Sequence, residues 1–313
     1  MNFKNIVICG GGVLGSQIAY QCAYSGFDVT IWLRSEGSIE RAKPKVNGLY
    51  DTYKNALNLM NTPEGKQRGN WSNGISTLDN FNYEECVKAN EEALGRIKYE
   101  LNMEKALSDA DLVVETVAEE PSQKIDFYKT AAKYMPEKTV LVTNSSTMLP
   151  SQFAEYTGRP EKYLTLHFCT SVWIANVAEV MSHSGTDKKY HEAVEQFARD
   201  IKMIPIPVLK EQPGYVMNSM LVPFLVSAMQ LWATGVSDVK SIDLTWSVCF
   251  GGGYGPFQIL DSVGLMTPLA IVSSLPGADD PTTANGMIVV KLKEMIDANK
   301  LGIQSGEGFY SYK

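Results

Sequence analysis

Apolar positions change their period twice within the first 34 residues. Phe3 to Cys9 is a short apolar run, Val13 to Ser25 carries apolar residues at helical spacing, and Asp28 to Leu33 is β-branched and apolar again. That order predicts β-α-β and the start of a parallel sheet. Further strands are predicted at 96–99, 112–116, 139–143, 163–167, 177–181 and 204–208, with helical patterns between most of them. The alternation predicts a doubly wound α/β domain. About sixty residues separate the second strand from Arg96, far more than a crossover needs, and the stretch near 61–73 is rich in Lys, Asn and Gly. A helical protrusion over about 36–95 with a loose tip is expected there. Beyond Pro213 the strand pattern stops, and helices are predicted at 214–235, 240–250, 257–273 and 283–299. The chain thus divides into an α/β domain over 1–210 and an all-helical domain over 211–313.

Composition narrows the function classes. Apolar residues make up 44% and charged residues 20%, the balance of a folded, non-membrane protein. The apolar stretch Leu221 to Ala233 is interrupted by Pro223 and Gln230 and falls short of the roughly 20 residues of a membrane span, so it reads as a buried helix. Lys and Arg number 28 against 35 Asp and Glu, a net charge of −7 with the basic residues scattered, which argues against a nucleic-acid partner. The five cysteines form no CxxC pair and read as free thiols in a reducing compartment. A strand begins almost at the first residue, so no secretory signal is read and a cytoplasmic location is expected. No metal site is expected.

Chemistry enters at Gly10-Gly11-Gly12-Val13-Leu14-Gly15, a GxGxxG placed after a strand and opening a helix. Gly10 permits the tight turn, Gly12 lets backbone approach a pyrophosphate, Gly15 lets helix and strand pack, and the helix N-terminus at Val13 and Leu14 favours the anion. The frame favours a dinucleotide cofactor over a merely structural turn. At the end of the second strand, where NAD binding uses a carboxylate for the ribose 2′-hydroxyl, the chain reads Leu33-Arg34. Arg34 either suits a 2′-phosphate or merely stacks on adenine or points to solvent; the first is preferred, and with it NADP over NAD.

Of three histidines, His183 and His191 lie in a polar stretch and read as solvated surface. His167 ends a predicted strand and so projects at the carboxyl edge of the sheet, where such folds bind ligands. Glu179 lies twelve residues on, in the apolar run 177–181, where a carboxylate is costly unless paired. Paired, the two form a proton-transfer device; unpaired, His167 is a core histidine. Thr143-Asn144-Ser145-Ser146-Thr147 offers hydroxyls at another carboxyl edge, or an N-cap for a helix starting near Leu149. Asn218 is a polar residue on an otherwise apolar helix.

In order along the chain, GGGVLGSQIA, DADLVVETVAEE, TNSSTMLPS, LHFCTSVWIANVAEVM, EQPGYVMNSMLVPFL, GYGPFQILDSVGL and GEGFYSYK resemble the 3-hydroxyacyl-CoA dehydrogenase family over almost the whole length, and most nearly its branch containing diketoreductase. The resemblance implies a Rossmann domain and a helical domain through which two subunits pair as a homodimer. It implies hydride exchange between NAD(P) and a short 3-hydroxyacyl-CoA such as 3-hydroxybutyryl-CoA, with His167 and Glu179 as catalytic pair and Ser146 and Asn218 binding the substrate oxygen. It also places Glu115, Glu119 and Lys124 near the cofactor. Lys43, Lys45 and Lys54 are either contacts for CoA phosphates or solvated surface.

Two departures matter. The family's HFFNP is HFCTS here, with Thr170 and Ser171 in place of Asn and Pro and with the bulk of Trp173 nearby, which leaves the substrate open. The missing carboxylate at Leu33 leaves strict NAD use open. The alternatives are a CoA-free diketo ester, 3-oxo acid or gulonate-type sugar acid as substrate, and a non-catalytic, crystallin-like cofactor-binding protein.

Overall fold

The computed structural model describes residues 1, 3–67, 69–251 and 253–312, so Lys313 at the end of GEGFYSYK lies outside the described residues. The chain divides into two units, Met1–Val216 and Met217–Lys313.

The first unit opens with β1 (Asn5–Cys9), α1 (Val13–Tyr24) and β2 (Asp28–Trp32). α2 (Glu36–Met60), α3 (Tyr83–Ala93), β3 (Ile97–Glu100) and α4 (Met103–Leu107) follow. Then come β4 (Leu112–Glu115), α5 (Pro121–Ala131), β5 (Val140–Thr143) and β6 (Tyr163–Phe168). β7 (Val177–Met181), α6 (Lys188–Asp200) and β8 (Ile204–Val208) complete it. The eight strands lie in the order β3-β2-β1-β4-β5-β6-β7-β8. Its first six places follow the order of a doubly wound dinucleotide-binding sheet. Strand β7 runs antiparallel to β6, and β8 parallel to β7. β1 shows why both faces must be covered: Ile6 and Ile8 join one core, Val7 and Cys9 the other.

The 36–95 segment departs from the expected protrusion. Ala42, Val46, Leu49, Tyr53, Leu57 and Met60 recur every three or four residues along α2 and are buried in the same core as α1. Gln21 of α1 donates to the carbonyls of Gly74 and Ile201 at 2.8 Å each and accepts from the Tyr53 hydroxyl. The stretch expected as a loose tip is tied down in part: Trp71 Nε1 donates to Ser76 O at 2.8 Å, and Gly74 N–H to Trp173 O at 3.0 Å.

The second unit contains α7 (Met217–Ala233), α8 (Val239–Cys249), α9 (Pro256–Val263), α10 (Met266–Ser273) and α11 (Ala284–Asp297). The single helix expected at 257–273 is two helices, bent by 104°, because Gly264 takes the left-handed φ of +88° between them. Two buried carboxylates knit this unit. Asp261 accepts the N–H groups of Phe309 and Tyr310 and the Tyr312 hydroxyl, while Asp243 accepts the N–H groups of Phe257 and Gln258 and the Tyr310 hydroxyl. Among the described residues no single helix is long and apolar enough to cross a membrane.

Candidate active site

At the carboxyl ends of β1, β2 and β4 lies a cavity of about 720 Å³, bordered by Gly10, Gly12, Leu33, Arg34 and the turn Thr116 to Ala118. Gly10 and Gly15 of its loop are required by space. Gly10 has φ +131°, and a Cβ there would lie 2.6 Å from Thr116 O; one on Gly15 would lie 2.5 Å from Gly10 O. A Cβ on Gly12 would meet nothing within 4 Å, so the loop is open on that side. No side chain caps α1 and its first turn holds no acid, which leaves the positive helix end at Val13 and Leu14 for an anion. These features fit a dinucleotide pyrophosphate.

Glu115 and Lys124 do not line that cavity. Glu115 is fully buried: Oε1 accepts from Lys124 Nζ at 2.7 Å and Val117 N–H at 2.8 Å, and Oε2 from Tyr128 Oη at 2.6 Å and Thr143 Oγ1 at 2.7 Å. The pair is satisfied internally, as a buried charge must be. It anchors the strand ends from below.

The proton-transfer geometry follows from strand register. β6 and β7 pair antiparallel with His167 opposite Glu179, which brings their side chains onto one face. His167 Nδ1 lies 2.9 Å from Glu179 Oε2, and both residues are at most 3% exposed. The other ring nitrogen, Nε2, lies 3.1 Å from Ser146 Oγ.

Ser146 sits in the loop after β5, and Glu119 holds that loop. One oxygen of Glu119 accepts from Ser145 Oγ at 2.5 Å, from the N–H groups of Ser146 and Thr147 at 3.0 and 3.2 Å, and from Thr147 Oγ1 at 3.0 Å; Lys124 Nζ lies 3.3 Å from the other. Burial acts to raise the Glu119 carboxyl, but the Ser145 hydrogen bond, the Lys124 charge and the Thr147 donors together hold it below the usual carboxylate range. The helix expected near Leu149 is only a 3-10 turn, 150–152, so these polar groups are not spent on capping an α-helix.

Tyr215 was not singled out by the sequence, yet its ring stacks on His167, with centroids 4.7 Å apart and planes 25° apart. Its hydroxyl donates to Ser145 O at 2.5 Å, and the next residue, Val216, donates its N–H to Glu179 Oε1 at 2.8 Å. The available signal was an aromatic beside Gly214 in the QPGYVMN segment. Asn218 belongs to the second unit, half-buried in the first turn of α7.

Other positions depart from expectation. His183 is buried, accepting from Gly185 N–H at Nδ1 and lying 2.9 Å from Pro160 O through Nε2, so it is a core histidine and not solvated surface. Trp173 is partly buried and packs against Tyr53 of α2, with ring centroids 6.0 Å apart. Ser171 takes a left-handed φ of +61° and donates its N–H to Gln17 Oε1. Burial, and secondly the charge of Glu179, push the Cys169 thiol up. Lys43 lies over the Tyr99 ring, whereas Lys45 lines the cavity.

Residues 5–212 match the family described as 3-hydroxyacyl-CoA dehydrogenase, NAD binding domain, and residues 214–312 its C-terminal domain. The 3-hydroxybutyryl-CoA dehydrogenase of Clostridioides difficile is 30% identical over 98% of this chain and 99% of its own. The mitochondrial hydroxyacyl-coenzyme A dehydrogenase of Homo sapiens is 26% identical over 99% of this chain and 91% of its own. A solved diketoreductase, described by its "substrate-directed dual catalysis of dicarbonyl compounds", is 39% identical with a TM-score of 0.84, covering 100% of both chains. With both domains matched almost from end to end, the chain belongs to the 3-hydroxyacyl-CoA dehydrogenase family of NAD-dependent oxidoreductases.

Proposed function

We propose that this protein interconverts the 3-hydroxy and 3-oxo groups of a short-chain 3-hydroxyacyl-CoA, with 3-hydroxybutyryl-CoA as the reference substrate and NADP favoured over NAD. The observation that carries the reading is the relay Glu179–His167–Ser146, with contacts of 2.9 and 3.1 Å. Reducing a ketone requires a hydride at carbon and a proton at oxygen. A bound nicotinamide dinucleotide supplies the hydride, and Gly10, Gly12, Val13, Leu14 and Gly15 would hold its pyrophosphate. Glu179 fixes Nδ1 and the orientation of the imidazole, so Nε2–H can give a proton to an oxygen polarised by the Ser146 hydroxyl. In oxidation the neutral Nε2 takes that proton back.

A second reading, a CoA-free dicarbonyl substrate, is favoured by the 39% identity to a diketoreductase and by HFCTS in place of HFFNP. The NADP preference is supported by Leu33 and Arg34, and a homodimer by apolar side chains left exposed on the second unit.

The test is the initial rate of acetoacetyl-CoA reduction with NADPH and with NADH, beside a diketo ester without CoA. A saturable acetoacetyl-CoA rate that falls by roughly 10²–10⁴ in His167→Gln, with cofactor binding retained, supports the first reading. Turnover of the diketo ester alone moves the substrate to the second. A His167→Gln variant as fast as the native protein would falsify the assigned role.

A further inference from the structure

We infer that Arg41 of α2, with Ser38, Arg34 and Lys45 beside it, forms a recognition site for the 2′-phosphate of an NADP-type dinucleotide. The inference rests on the NADP preference proposed above and deepens it by moving the main contact from Arg34 to Arg41.

The position that reads the ribose in this fold lies at the end of β2. Leu33 occupies it, only 5% exposed, with a methyl carbon 3.0 Å from where a Cβ on Gly11 would stand. It is packed beneath the glycine loop and offers no acceptor for a 2′-hydroxyl. Immediately after it the lining turns basic. Arg34 and, on α2, Ser38, Arg41 and Lys45 all border the cavity. The spacing of three and then four residues puts the latter three on one helix face.

Arg41 is prepared for an anion. Its Nη2 donates to Ser38 Oγ at 3.1 Å, and Ser38 Oγ lies 3.0 Å from Ser35 Oγ, so neutral hydroxyls orient the guanidinium. Glu36 and Glu40 are close in sequence and exposed, but among the described residues no carboxylate forms an ion pair with Arg34, Arg41 or Lys45. Three cations, none of them in an ion pair among the described residues, thus border the cavity against a single lining carboxylate, Asp126 of α5, which leaves a net positive charge to be met. A phosphate dianion meets that charge and matches the planar fork of an arginine, which a hydroxyl does not.

The experiment is a fluorescence titration giving dissociation constants for NADPH and NADH, which needs no turnover. The native protein is expected to bind NADPH at least about tenfold more tightly than NADH, and Arg41→Ala to lose about tenfold or more for NADPH while NADH changes less than about twofold. Thermal melting of the variant confirms that it folds. If the native protein binds NADPH no more tightly than NADH, the NADP reading and this site fall together. If it prefers NADPH but Arg41→Ala leaves that preference intact, or weakens both cofactors equally, the NADP reading stands and the assignment to Arg41 is overturned. Leu33→Asp combined with Arg41→Ala is expected to reverse the preference towards NADH, and an unreversed preference also counts against the site.

Discussion

At the scale of single residues, the orientation of His167 depends on more than its carboxylate. Tyr215 holds a left-handed φ of +52°, a conformation that costs a bulky residue on the order of 1–3 kcal/mol. The strain is offset by contacts made at once, among them the ring on His167, the hydroxyl on Ser145 O, and the following N–H on Glu179. Tyr215→Phe keeps the stack and removes the hydroxyl with its hydrogen bonds to Ser145 O and Met148 O, so a loss of about 1–2 kcal/mol in stability and little change in kcat are expected. Tyr215→Leu removes the stack. Its kcat should fall about tenfold or more with cofactor Kd unchanged, the pH profile of kcat should shift, and Phe but not Leu should preserve that profile. If Leu lowers only the melting temperature, the ring serves packing alone. His167 and Glu179 were legible because each is an ionisable residue inside an apolar run. Tyr215 was not: it lies outside any periodic element, and an aromatic beside a glycine carries no mark of what it stacks on.

Among elements, the loop between β5 and its following 3-10 turn is the least self-sufficient part of the site. Its shape is set from α5's side of the sheet, by Glu119 collecting four donors from residues 145–147. Glu119→Gln puts an amide among those donors and removes a charge from beside Lys124. Turnover should drop by at least about tenfold through displacement of Ser146, with the cofactor still bound. The pH dependence has a definite sign. Because the native carboxyl is held below its ordinary range, its contribution to stability is complete above that range and is lost as pH falls through the lowered native value. The gap in melting temperature between native protein and Glu119→Gln should therefore be widest near neutral pH and close only in acid; a gap independent of pH would refute the role of the charge. Element type was mostly readable here, and β7 and β8 fell on the predicted residues. What the pattern concealed was partnership. α2 was read as protruding because an amphipathic stripe does not say whether its apolar face meets α1 or nothing. Glu115 and Lys124 read as cofactor ligands because a motif cannot show that their bonds are used inward.

For the whole molecule, the uneven distribution of exposed apolar groups carries the argument. Leu244, Val248, Phe250 and Tyr254 are 64%, 71%, 67% and 72% exposed, all within or just after α8. Leu244 and Val248 are one turn apart on the same helix face. Scattered apolar residues are ordinary on a protein surface, but several on one short segment make a patch suited to contact with a partner, and the homodimer proposed above places its interface here. The family resemblance suggested a second copy as the partner; from sequence alone α8 read only as a helix, because exposure is a property of the packed unit. Sedimentation of the native protein at micromolar concentration should give twice the mass of one chain, and Leu244→Glu with Val248→Glu should give a single chain whose helical content is unchanged. A native protein that sediments as one chain would remove the homodimer from the proposal. A native dimer untouched by the double substitution would leave the dimer in place and move its interface away from α8.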